Sequence, residues 1–122
     1  MNNEKKINID NYISSKSIIL SDRDKGELAR EKMQLEQLEK EYKKIIIVIP
    51  DRIVSFNSSY FLGLFTPSIK YLGGRVGFFN KYEFVCDSLI MEDIEYGIQE
   101  ASHAQIMEQF EDILIYNLVY VH

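Results

Sequence analysis

Five consecutive apolar, β-branched residues, Ile45-Ile46-Ile47-Val48-Ile49, constrain this chain more than any other feature. Ile and Val pack well on a pleated surface, and the run alternates nothing polar. It therefore predicts a short central strand, buried on both faces. Pro50-Asp51 ends it, since proline supplies no ladder donor. Upstream, Ser21-Asp22-Arg23-Asp24 reads as a helix start, with hydroxyl and carboxylate groups to accept the free backbone N–H groups. The helix is expected to run to Tyr42, with Leu28, Leu35, Leu38 and Tyr42 on one face. Glu36 and Lys40, and Glu39 and Lys43, are spaced to pair across a turn. Two short strands precede it, near Lys6–Ile9 and Ser17–Leu20, and a hairpin between them is expected. A strand, a helix of about 20 residues and another strand is the spacing of a βαβ unit.

Downstream of the Ile run, a loop leads into a helix over Ser58–Leu72, capped by Asn57 or Ser58. Tyr60, Phe61, Leu64, Phe65, Ile69 and Leu72 give it a broad apolar face. Pro67 is expected to kink or restart it, and Gly73-Gly74 to stop it. The segment Gly73–Gly77 reads as a turn, and Glu83–Cys86 as the last strand. A further helix is expected from near Met91, with Ile90, Ile94, Ile98, Ile106, Phe110 and Ile113 at helical spacing. For Ile113–Val121, rich in β-branched and aromatic residues, helix and strand both stay open. The fold class is thus α/β: a small mixed sheet of about four strands with helices against it, plus a C-terminal apolar helical extension. One domain is expected over residues 1–122, with its core at about 6–101 and the extension at 102–122.

Composition narrows the function classes. The net charge is −5 and no basic stripe is present, which argues against nucleic acid as a partner. A single cysteine, Cys86, rules out an intrachain disulfide. The polar N-terminal residues lack the apolar core of a signal peptide, and the apolar runs are too short to span a bilayer. A cytoplasmic protein with no membrane partner is the expectation.

Four segments resemble the STAS-like domains, relatives of the sulfate-transporter and anti-sigma-factor-antagonist fold. They are Ser21–Gly26, the Ile45–Ile49 strand, the serine-aromatic turn Ser55–Phe65, and Gly77–Phe84. In the antagonists a strand ends in Asp-Ser-Ser-Gly, and a partner ATPase of the histidine-kinase type phosphorylates one of the serines. Asn57-Ser58-Ser59-Tyr60 occupies that position here, with Asn57 in place of the acid and Tyr60 in place of the glycine. The resemblance implies a regulatory protein-binding module without enzymatic activity. Its face would be Asn57, Ser58, Ser59, Tyr60 and Phe61, with Ser58 the residue for modification.

The residues also admit plainer readings. Ser58 and Ser59 are good helix caps in any case. Tyr60, Phe61, Phe65, Phe78 and Phe79 are an exposed recognition patch or, more ordinarily, core. Glu100 and His103 have the spacing of half a di-iron site, but the ligand count fails, so no metal and no cofactor are expected. Cys86 reads as a small buried hydrophobe and Glu36, Glu39 and Glu41 as a solvated helix face. Ile106, Met107, Phe110, Ile113, Leu114, Leu118 and Val121 are too apolar for a free tail. They would complete the core, form a homodimer, or bind another protein. An inhibitor of a host enzyme from a phage or mobile element, and a small-ligand-binding domain, are the alternative functions.

Overall fold

A computed structural model describes residues 3–120. Five short strands and five helices follow in the order β1 (Glu4–Asn8), β2 (Ile19–Leu20), α1 (Arg23–Met33), α2 (Leu35–Glu41), β3 (Lys44–Val48), β4 (Ser55–Phe56), α3 (Ser58–Leu72), α4 (Arg75–Lys81), β5 (Tyr82–Val85) and α5 (Ser88–Tyr120). The class is α/β, and every strand pair is parallel. One sheet has the order β1-β3-β5, so the Ile-rich strand is central as its composition predicts. The expected hairpin is not formed: β1 pairs with β3, and β2 pairs with β4 in a separate two-stranded sheet. Ten residues, including a 3-10 turn at Ile9–Tyr12, separate β1 from β2. That is far beyond a tight hairpin connection.

Register decides which face of the sheet is core. Ile7, Ile47 and Phe84 share one row, and Ile45 and Tyr82 share another on the same face. Ile7, Ile45, Ile47 and Tyr82 are buried. The opposite face sets Ile46 between Lys6 and Glu83, and Val48 between Asn8 and Val85. Those four neighbours are exposed, so Ile46 and Val48 are only half-buried. The central strand therefore has one dry face, not two.

The expected long helix of residues 21–42 is two helices. Gln34 sits in the left-handed region (φ 57°) between α1 and α2. Gly26, Ala29 and Met33 face the core from α1; the same stripe would continue to Glu36, Gln37 and Lys40. Leu35 and Leu38 lie off that line, and the break at Gln34 resets the phase so that Leu35 becomes fully buried. Leu28, expected on the apolar face, is half exposed because it lies off the Gly26, Ala29 and Met33 stripe of its own helix.

α3 is the centre of the molecule, packed on α1 and α5. It stays helical through Pro67 and stops at Gly73 (φ 83°). Two glycines bring α1 and α3 into backbone contact. A Cβ on Gly26 would lie 2.2 Å from the Tyr60 carbonyl oxygen, and one on Gly63 2.1 Å from that of Arg23. The Gly73–Gly77 segment is not a simple turn, because α4 begins at Arg75 and drives Phe78 into the core against Phe65 and Tyr82. Burial of that ring outweighs the two glycines that would otherwise keep the segment open.

Candidate interaction surface

The serine-aromatic turn splits into polar and buried halves. The Asn57 side chain caps α3 by accepting from the Ser59 N–H at 2.8 Å. Ser59 is exposed and Ser58 half-buried. Tyr60 and Phe61 are core residues, which corrects their placement on a binding face. Helical geometry explains it: the residues after the cap turn inward, where Phe56 meets the Tyr60 ring edge-on at 5.5 Å and Phe61 packs on Phe65. Phe65 and Phe78 are likewise buried, and Phe79 partly so. The aromatic patch is thus the core.

The C-terminal extension behaves in the opposite way. Asp87 caps α5 by accepting from the Ile90 N–H at 2.8 Å. Ile90, Ile94, Gly97, Ile98 and Ala101 bury the first four turns, where Gly97 lies directly against the Phe61 ring. Beyond Ala101 the helix continues to Tyr120 with its apolar side chains exposed, from 44% at Met107 to 72% at Tyr120. Ile113–Tyr120 is therefore helix, and the extension does not complete the core. Val121 and His122 lie outside the described residues.

Ile106, Met107, Phe110, Ile113, Leu114 and Leu118 recur at three- and four-residue intervals and form one continuous stripe. Glu108, Glu111 and Asp112 flank it on the other side, which exposed Ile115 and Val119 share. A charge boundary accompanies this: after Lys81 the chain holds nine Asp or Glu and no Lys or Arg. That asymmetry was present in the sequence, but the overall net charge conceals it.

A polar cluster that sequence reasoning missed joins α1, α2, α3 and β5. Glu39, expected on a solvated face, is buried. Its carboxylate accepts from the hydroxyls of Ser68 and Tyr82, and Arg30 donates to Ser68 at 2.6 Å and to the Leu64 carbonyl at 2.9 Å. The Tyr82 phenol is pushed far up, first by burial and then by the Glu39 charge. The pairing of Glu39 with Lys43 is thereby lost to a tertiary one. The signal available in sequence was the i, i+4 relation of Glu39 to Leu35, itself an inward position.

A second missed feature is a cleft of about 240 Å³, open to solvent, between the loop before β2, α1 and the first turn of α3. Tyr60 contributes to its wall; its hydroxyl is itself buried, with no hydrogen-bond partner among the described residues. Elsewhere, Cys86 is half-buried and its thiol is pushed up by burial and by Asp87, so it is a poor nucleophile. Among the described residues, no three His, Cys, Asp or Glu side chains gather to hold a metal, and no helix is long and apolar enough to cross a membrane. Comparison with protein-family models, curated proteins and solved structures gives no match to this chain.

Proposed function

We propose that this chain is a STAS-like, non-enzymatic regulatory module that binds another protein through the apolar stripe of α5 beyond Ala101. The observation that carries the reading is the run of exposed apolar residues from Ile106 to Tyr120, larger than a monomeric surface ordinarily shows. An exposed apolar helix of this kind is recognised by seating its apolar side chains in an apolar groove. Glu108, Glu111 and Asp112 beside the stripe favour a groove rimmed by Lys or Arg. Pairing α5 with α5 of a second copy would supply no cation, since none follows Lys81. The same acidity disfavours an anionic membrane surface.

The STAS-like resemblance adds a histidine-kinase-type ATPase as the partner class and a modification at the start of α3. Ser59 is the more accessible of the two serines there, and a phosphate on it would meet the positive end of the helix.

The test compares three tagged chains in the native cell: wild type, Phe110→Asp/Leu114→Asp, and Ser58→Ala/Ser59→Ala. The expected result is a protein retained by wild type and lost with the α5 variant. Reconstituted from purified components, that complex should weaken as ionic strength rises. A partner set unchanged by the α5 variant would remove this surface from consideration. A wild-type homodimer that the α5 variant dissociates would reassign the stripe to self-association.

A further inference from the structure

The polarity of α5 changes along its axis as well as around it. At about 100° per residue, the stripe from Ile106 to Leu118 keeps to one side, and Glu108, Glu111 and Asp112 lie together on the other. Ile115 and Val119 follow on that acidic side, one and two turns after Glu111. From Ile113 to Tyr120, seven of the eight residues are apolar, Asn117 being the exception, and all seven are exposed. Ile113, Leu114, Ile115 and Tyr116 alone point to four sides of the helix. A helix that is apolar all round belongs to an interior.

A groove suffices only as far as Asp112. Up to that point it covers the stripe and meets the three acids at its rim. One turn later the same groove would leave Ile115 and Val119 in water, on the side facing away from it.

On the reading that α5 is the binding surface, we propose that its tip, residues 113–120, enters an apolar socket of the partner protein that closes around it on every side, with a basic rim facing Glu108, Glu111 and Asp112. Eight residues rise about 12 Å, which sets the depth of the socket. Asn117 and the hydroxyls of Tyr116 and Tyr120, whose rings lie 5.0 Å apart, need polar partners once enclosed. A protein socket supplies these at fixed positions. Lipid does not, and about 12 Å is less than half of a hydrocarbon core of about 30 Å. A second α5 laid alongside would cover one side only and bring no cation to the acids.

A photo-crosslinking phenylalanine analogue is placed in the full chain at position 113, 114, 115 or 116, one position at a time, in the native cell. All four should crosslink to one and the same protein. In the complex reconstituted with that protein, Ile115→Asp/Val119→Asp should weaken binding at least about 100-fold, as Phe110→Asp/Leu114→Asp does. Unfolding midpoints should equal wild type, because the buried part of α5 ends at Ala101. Asn117→Leu should weaken the complex about tenfold, since it leaves a polar group of the socket unpaired. Crosslinks from positions 113 and 114 alone, with full binding by Ile115→Asp/Val119→Asp, overturn the socket and leave α5 bound in a groove. Full binding by both double variants overturns the socket and the α5 reading together. Crosslinks to lipid, to a second copy of this chain or to nothing do the same.

Discussion

The Tyr82 hydroxyl donates to the Glu39 carboxylate at 2.5 Å, tying β5 to α2 in the interior of the protein. The same carboxylate oxygen accepts from Ser68 of α3 and lies 3.9 Å from the Arg30 guanidinium of α1. One buried acid thus cross-links four elements that are distant in sequence. Its charge is offset by Arg30, whose side chain is 14% exposed, and its lone pairs are taken by two hydroxyls. Removing it strands a largely buried cation. Glu39→Ala should therefore destabilise the fold by about 3 kcal/mol, and Tyr82→Phe by about 1–2 kcal/mol. Urea unfolding with unchanged slope measures both. A Glu39→Ala midpoint equal to wild type would mean the cluster contributes no net stability.

The seam between α1 and α3 makes a second prediction. A methyl at position 63 would collide with the Arg23 carbonyl oxygen, which is helix backbone and cannot rotate away. Gly63→Ala should cost about 3 kcal/mol or more despite its better helix propensity. Gly73→Ala offers a contrast, since nothing lies within 4 Å of its Cβ and only its φ of 83° opposes the change. A smaller cost of about 1 kcal/mol is expected there. Equal midpoints for the two variants would show that α1 shifts to admit the methyl.

At the start of α3, Asn57 and not Ser58 is the cap, so the two should respond differently. Asn57→Ala should lower stability by about 1 kcal/mol. Asn57→Asp should hold or slightly raise it, because α3 has no acid in its first turn to meet the helix dipole. Ser59→Ala, at an exposed position, should change thermal unfolding by less than about 0.5 kcal/mol. Any loss of partner binding in the Ser58→Ala/Ser59→Ala chain can then be assigned to the surface, once its unfolding midpoint matches wild type.

The pH dependence follows from the buried phenols. Tyr60 ionises near 10.0 when unfolded and near 12 when folded. Its folded pKa is raised, so its contribution is fully present below about 10 and is lost as pH climbs toward about 12. Tyr82 shifts in the same direction. Urea midpoints should hold steady through neutral pH and fall on the alkaline side of pH 10. Tyr60→Phe should flatten part of that decline and, by deleting an unpaired donor, match or exceed wild-type stability at neutral pH. A midpoint insensitive to alkali would place the Tyr60 ring in water.

The local elements were legible because they rest on local chemistry. The Ile45–Ile49 run could only pack as a strand, Gly73-Gly74 could only end a helix cheaply, and Ile90, Ile94 and Ile98 repeat at the helical period. The α/β class follows from alternating such elements. What the chain does with them was not local. Parallel pairing of β1 with β3, rather than a hairpin with β2, depends on contacts some forty residues apart. The break at Gln34 exists because two apolar stripes, each a good helix face, are out of phase and one core must receive both. Glu39 is charged and helical, and so looked solvated, until three other elements closed over it. Tyr60 and Phe61, next to an exposed serine, looked like a recognition face, but α3 is the central helix and turns them inward. For the α5 extension the sequence determined that apolar side chains must find cover. Only the tertiary structure decided that the domain leaves them uncovered, because the core ends at Ala101 while the helix, whose hydrogen bonds are its own, runs on.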